Sequence, residues 1–473
     1  MKFLFAIQNT AHFLNYRRVA ESLCAGGHNV VFHLEYVEKP WANLTERPLA
    51  DLKDKYPDRF GYSDIIRRNG FWRKALFTKR EMANYGGYLR KENPIATSNY
   101  TRERAEAKMP PRARQALSIA PIRKLAFSKA GWAAMDFVEN VAPLEKRVMD
   151  YLRREKPDLV VASPYIFPHS EQIDYIKCAK ALNIPTVVGI ASWDNLTTKG
   201  LFQVYPDSVF VWNQPQVEEL KNIHGVSPEQ AFTTGAPSLD IWFELTPKLS
   251  YEEFCRESGV DPGKDYIVYL CSSKSIIKRE DEFIRKLAES LKARMGDNSP
   301  VILARPHPEH TEVWNDNHIP GVAVYPSRYD AYYDREAKGI FYHTLYHGKC
   351  VMGINTTAII EAAIVSRPCI SVTAPEYADT HTGSSHFHHL LNAGFIDVAS
   401  GFESAVELVA GAIAGKDGRK TARRDFVGSF VRPWGLETPA SAIMAHALIN
   451  LAEGKTLSEV KALAGSGALV PAS

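Results

Sequence analysis

Twice along this chain, short apolar runs alternate with amphipathic stretches of helical period. The first series reads KFLFAI, NYRRVAESLCAGG and NVVFHL, then, after a long interruption, DLVVASP, SEQIDYIKCAKALN, PTVVGIAS, SVFVWN, QPQVEELKNIHG and AFTTGAP. The second reads YIVYLCSS, DEFIRKLAESLKARMG, PVILARPH, GVAVYP, GKCVMGIN, TTAIIEAAIVS and PCISVTA. Short apolar strands separated by amphipathic helices require a parallel sheet with helices on both faces. At 473 residues the chain exceeds one ordinary core, so each series is expected to form its own doubly wound unit. The expected order is a first unit at 1–240 with a helical insertion at about 40–130, a strandless linker at 241–262, and a second unit at 263–425. One more helix follows at 426–455, then a tail at 456–473 ending in GSGALVPAS, expected to be disordered. Open α/β sheets bind ligands at the carboxyl ends of their strands. The fold class is therefore α/β, two Rossmann-like domains facing a cleft.

No apolar run reaches the roughly 18–20 residues that span a bilayer. The N-terminal FLFAI is too short for a secretion signal and lacks a small-residue cleavage site after it, so it reads as a first buried strand. Cys24, Cys178, Cys255, Cys271, Cys350 and Cys369 are scattered without a CxxC pair, several of them in apolar runs. That pattern fits reduced, buried thiols in a cytoplasmic protein and argues against disulfides or zinc.

The formal net charge of +3 conceals a local excess: sixteen Lys/Arg face four Glu between Arg67 and Lys129. Either this insertion is a solvated helical face, or it meets an anionic lipid or polymer, since FWRKALF, NYGGYLRK and IRKLAF interleave aromatics with cations. No nucleic-acid motif accompanies the charge.

Two segments of the second series carry chemistry. In VILARPHPEH a buried strand runs into Arg305, His307 and His310, with Pro306 and Pro308 holding the backbone extended. In NTTAIIEA, Thr356 and Thr357 open a helix whose exposed N–H groups favour an anion. Glu361 lies one turn further along the same side. An ordinary cap and a solvent-facing glutamate would give the same letters. A planar arginine fork set opposite a helix N-terminus would clamp a diphosphate.

RPHP, NTTAIIEA and RPCISV together resemble the C-terminal half of GT-B nucleotide-sugar transferases. The resemblance is to branches with an HP histidine, namely capsule and polysialic acid transferases and CDP-glycerol glycerophosphotransferases. TTGAPSLD at 233–240 is similar to the G-x-P-x-x-D segment of these proteins and of non-hydrolysing UDP-N-acetylglucosamine 2-epimerases. The likeness covers about 205–375. It implies His307 on the donor phosphates, Thr356 and Thr357 on the diphosphate, and Glu361 on the ribose. The nucleotide-sugar would be a substrate, so no cofactor is expected. Ser272 and Ser273, after YIVYLC, offer a second phosphate contact.

The acceptor side falls to loops of the first series. QNTAHFLNY places His12 after the first strand, where a general base would suit it. GIASWDNLTTKG gathers Trp193, Asp194, Asn195 and Lys199, with Trp as a stacking face and Asp-Asn as directional acceptors. An Asp-Asn turn would serve structure alone. Asp194 ranks above His12 as the base, with His169 and Glu171 of FPHSEQ next. THTGSSHFHHLL carries His381, His386, His388 and His389 at no known zinc spacing, and metal is not expected there. The expected activity is transfer from a nucleotide-activated sugar to a glycan or lipid-linked acceptor at the inner face of the membrane. A CDP-glycerol-type glycerophosphotransferase and a 2-epimerase-like enzyme are the rivals.

Overall fold

The computed structural model describes residues 1–473 except 38–44, 91, 93, 94, 96, 274–276, 278, 309, 315–317, 327–334, 355, 374–382 and 471–473. The chain divides into two compact units, one built from residues before 239 together with those from 430 onward, the other from 239–429.

Among the described residues, seven strands form the first sheet. They are β1 (Lys2–Asn9), β2 (Asn29–Tyr36), β3 (Phe60–Asp64), β4 (Leu159–Ser163), β5 (Thr186–Gly189), β6 (Ser208–Val211) and β7 (Ala231–Thr233), in the order β3-β2-β1-β4-β5-β6-β7. Every pairing is parallel. Strands β4, β5 and β6 are buried at every position, as continuous apolar runs must be when helices cover both faces. The run FLFAI lies within β1, inside the sheet between β2 and β4. Helix α1 (Thr10–Ala25) follows, capped by Asn9.

The insertion contributes α2 (Gly70–Tyr88), α3 (Pro111–Ser118), α4 (Ala120–Ala126) and α5 (Lys129–Val141). Helix α2 runs straight through Gly86 and Gly87, although glycine costs a helix interior about 1 kcal/mol each. A Cβ at Gly86 would lie 2.5 Å from the Phe127 ring and one at Gly87 2.4 Å from Ile95. Close packing of the α4–α5 corner on Gly86, and of Ile95 and Leu201 on Gly87, thus requires bare backbone there. Ser128 caps α5, its Oγ accepting from the Gly131 N–H at 3.2 Å.

Buried ion pairs tie the insertion to α6 (Gln172–Ala181). Arg68 donates to both oxygens of Asp174, at 2.9 and 3.0 Å. Glu139, on α5, receives Arg80 at 2.8 and 3.1 Å and Lys177 of α6 at 3.0 Å. Burial alone would raise the Glu139 carboxyl, but hydrogen bonds and charges from Arg80, Lys79 and Lys177 outweigh it and hold it down at about 2. Part of the local positive excess is therefore internal: Arg68 and Lys79 are buried and neutralised.

In the second unit, β8 (Tyr266–Leu270), β9 (Val301–Arg305), β10 (Val322–Val324), β11 (Val351–Gly353), β12 (Cys369–Val372) and β13 (Ile396–Ala399) form a parallel sheet ordered β10-β9-β8-β11-β12-β13. The helices that bear on its site are α7 (Glu280–Met295), α8 (Arg335–His347) and α9 (Ala358–Ile364).

Three expectations change. Strand β3 (Phe60–Asp64) lies inside the insertion expected to be helical. It is a polar edge strand, FGYSD, with one of its five residues buried, which hides it from an apolar-run reading. The C-terminal helix α10 (Ala440–Ala452) does not extend the second unit. Its Ile443, Met444, Leu448 and Leu451 join Phe3, Phe5, Phe13 and Leu23 in the first core. The described part of the tail is folded: α11 (Leu457–Gly465) starts on a Thr456–Glu459 capping box, and Leu469 is buried in that same core. The returning chain is received at Gly235, where φ is +85° and a Cβ would sit 2.7 Å from the Val431 carbonyl.

The six cysteines are free and buried. Among the described residues no helix is long and apolar enough to cross a membrane.

Candidate functional site

Each sheet reverses its strand order once, in the first unit between β1 and β4 and in the second between β8 and β11. At such a switch point neighbouring loops diverge and leave a crevice at the carboxyl ends.

In the second unit Thr356 and Thr357 follow β11, Ser272 and Ser273 follow β8, and Arg305 ends β9. The Arg305 guanidinium lies over the Phe341 ring on α8, 3.9 Å from its centre, so the cation rests on an aromatic face. Phe341 meets Trp242 edge-on at 5.2 Å, and the Lys338 ammonium stands 5.9 Å from the Trp242 ring. Burial raises the Glu361 carboxyl, while Lys338 and Arg305 pull the other way. Arg305 and Glu361, singled out from separate motifs, therefore share one charged, aromatic-walled patch. Lys338, Phe341 and Trp242 complete it and carry no motif of their own.

At the start of α9, Thr356 Oγ1 accepts from the Ala358 N–H at 3.3 Å. Thr357 is exposed and its side chain does not cap the helix. His307 is half-buried, its carbonyl accepting from the His310 N–H at 2.8 Å. Ser272 requires a correction as a phosphate contact. Its N–H and hydroxyl both donate to Glu280, at 2.7 and 3.2 Å, and Tyr269 adds a third donor at 3.1 Å. Burial pushes Glu280 up to about 7, and Ser272 itself is 1% exposed. Ser273 is half-buried beside it.

In the first unit a cavity of about 870 Å³ opens between α2 and the loop after β4, walled by Arg73, Phe77, Glu81, Phe167, His169 and Glu171 among others. His169 has a left-handed backbone, φ +65°, which a non-glycine residue adopts at a cost. Its N–H donates to Glu81 Oε1 at 3.0 Å, and its ring stacks on Phe77 at 4.4 Å. Burial, then Lys108 and Arg73, lowers the His169 pKa and favours neutral imidazole. Burial raises Glu81 to about 6, against the opposing hydrogen bonds from His169 and Asn84. Arg73 pairs with Glu171 at 2.7 Å. Beyond, Glu35 accepts from Gln172 at 3.0 Å and is raised by burial to about 7. His12, held by Asn9 Oδ1 at 3.0 Å from its Nδ1, meets Phe167 edge-on at 6.4 Å. Carboxyl groups that change charge near neutral pH, beside aromatic faces, suit proton transfer to or from a hydroxyl-bearing ligand.

The Trp193–Lys199 loop is built otherwise than expected. Trp193 is buried and, unlike Glu81, does not wall the cavity, so its indole offers that site no stacking face. Asn195 is also buried and turns inward, accepting from the Ser192 N–H at 3.1 Å. Asp194 accepts from Ser192 Oγ at 2.7 Å and Thr198 Oγ1 at 3.1 Å, and pairs with Lys199 at 3.1 Å. Its oxygens organise their own loop, and Lys199 is neutralised there. Glu81 lay unnoticed inside a charge run, and no local signal marks it. His169 and Glu171, the reserve candidates, do line the cavity. His381 lies outside the described residues, and His386 is buried ahead of a short helix. Among the described residues no group of three His, Cys, Asp or Glu is placed to hold a metal ion.

No protein-family model matches the sequence, and no curated protein does. Solved structures do match in fold. A structure assigned as a UDP-N-acetylglucosamine 2-epimerase from Listeria monocytogenes is 10% identical, with 96% of this chain and 97% of that one covered at a TM-score of 0.55. The fold is GT-B-like. The MnaA–UDP co-structure from S. aureus is 12% identical, covering 96% of this chain and 98% of its own at a TM-score of 0.53. A further UDP-N-acetylglucosamine 2-epimerase is 8% identical, covering 96% and 97% at 0.50. At these identities the likeness concerns the fold: two parallel-sheet, Rossmann-like domains.

Proposed function

We propose that the protein is a nucleotide-sugar-dependent glycosyltransferase acting at the cytoplasmic side of the membrane. Arg305, His307, Thr356, Thr357 and Glu361 hold the nucleotide-activated donor. The glycan or lipid-linked acceptor enters the cavity of the first unit. Glu81 takes the proton of the acceptor hydroxyl, His169 lines the path, and His12, edge-on to Phe167 of the cavity wall, is the second proton acceptor. The observation that supports transfer over other nucleotide-sugar chemistry is the 870 Å³ cavity, walled partly by the insertion helix. Its volume is that of a site for a whole ligand, and an enzyme working on a single sugar needs no second site.

A 2-epimerase reading has one observation in its favour. Two carboxyl groups, Glu35 and Glu81, are both raised toward neutral pH, which suits removing and returning a proton at one sugar carbon. Incubation with UDP-, CDP- and GDP-sugars, with and without an added glycan acceptor, separates the two. Acceptor-dependent nucleotide release supports transfer; epimerised donor without acceptor overturns it.

A further inference from the structure

Between Ala107 and Met135 the chain carries six Lys/Arg and no acid. Helix α4, in the middle of that stretch, buries none of its residues. Ile119, Ile122 and Leu125 recur every third residue on one side of it and are 51%, 43% and 69% exposed. On α5, Phe137 and Val141, one turn apart, are 65% and 48% exposed. Of nine large hydrophobic side chains exposed among the described residues, seven lie between Phe71 and Leu144. Isolated exposed hydrophobics are ordinary, but a concentration of this kind marks an interaction surface. Arg112, Arg114 and Lys124 are exposed alongside.

We infer that the α3–α4 hairpin is a membrane-docking element that inserts Ile119, Ile122 and Leu125 into an anionic bilayer, with Arg112, Arg114 and Lys124 on the headgroups. An interfacial helix has this composition, aliphatic on one side and basic on the other, and lies in the plane of the surface. A second copy of the chain would cover the aliphatic groups but would set the same cations against one another across a two-fold interface. An anionic bilayer accommodates both features. Arg68, in the same charge run, is excluded from this role by its burial against Asp174. The inference rests on exposure and charge alone and stands whichever sugar chemistry the protein performs.

The test is flotation of the full chain with vesicles of mixed phosphatidylcholine and phosphatidylglycerol, and with phosphatidylcholine alone. Binding is expected to the anionic vesicles and to fall steeply from low to physiological salt. Each of Arg112→Glu, Arg114→Glu and Lys124→Glu should lower partition about fivefold or more. The double variant Ile122→Glu/Leu125→Glu should lower it at least about tenfold with melting unchanged, since both side chains are exposed. Equal partition to neutral and anionic vesicles, or a double variant that binds like the parent, overturns the inference. So does a parent dimer that the double variant turns into monomers, which would make this face a self-interface.

Discussion

Replacing Glu81 by glutamine should move stability and turnover in opposite directions. The side chain is 2% exposed, and burial lifts its carboxyl from 4.5 to about 6. The folded chain therefore binds that proton more tightly than the unfolded chain does. Its stabilising share is complete below pH 4.5, is lost as pH rises through 6, and is absent above. A gap of this size corresponds to about 2 kcal/mol, the penalty the ionised carboxylate imposes on the fold at pH 8. Glutamine is neutral and keeps an oxygen to accept the His169 N–H, so it should remove the penalty and keep the hydrogen bond. Melting should rise by about 4 °C at pH 8, and the difference should vanish near pH 4.5. Turnover should fall about 10²–10⁴-fold as the general base is lost. The assay pairs calorimetric melts from pH 4.5 to 8 with nucleotide release under saturating donor. Comparing variant with parent at each pH cancels the titration of Glu35. A variant that melts lower at pH 8 would show the carboxylate to be a structural anchor, and one that keeps near-full turnover would refute its role as base.

Arg305→Met should weaken nucleoside diphosphate binding about tenfold or more, the loss of a hydrogen bond to a charged group; unchanged affinity by calorimetry would remove Arg305 from the donor site. Arg68→Met removes two hydrogen bonds from the buried Asp174, leaving it Arg80 at 3.7 Å, and should cost about 3 kcal/mol in denaturant unfolding, while an unaffected midpoint would mean that Arg80 takes over the pair. Asp194→Asn should lower the melting temperature by a few degrees with turnover within about tenfold of the parent, since its contacts are within its own loop. A hundredfold loss with melting kept would restore Asp194 as the base. Gly235→Ala should destabilise the first unit by about 1–3 kcal/mol through its left-handed backbone and the Val431 carbonyl, and an unchanged melt would show that the returning chain yields easily.

The alternation of apolar runs and helices was enough to read two doubly wound parallel sheets, because buried parallel strands are the one element whose composition is uniform along its length. It also placed Arg305, Thr356, His12 and Asp194 at the carboxyl ends of strands, since each directly follows such a run. Burial was not legible. Trp193 and Asn195 read as a functional cluster because polar and aromatic density looks the same whether it faces a ligand or knits a turn. Ser272 read as a phosphate contact because its partner, Glu280, sits eight residues away at a helix start, where acids are ordinary. Glu81 was invisible for the opposite reason, a carboxylate among cations that reads as solvated until α2 is seen against the loop at His169. The return of the chain to the first unit left one local trace, the T-x-x-E capping box at Thr456, and a capping box does not say which core its helix will join.

Residues 239–429 interrupt the first unit as a single uninterrupted piece, and the two flanks of that piece meet: the Ala236 N–H donates to the Val431 carbonyl at 2.9 Å, and Asn213 Nδ2 donates to the Phe430 carbonyl at 3.1 Å. On the ribosome this inverts the order of completion. The unit that starts the chain cannot close its core until α10 emerges, by which time the later-starting unit has been synthesised whole. The nascent chain therefore carries the uncovered face of β1 and α1 until residues 440–452 have been made. Because the flanks already touch, a short splice from Ser238 to Phe430 would delete the interrupting piece as one genetic cassette and bring α10 to its place early.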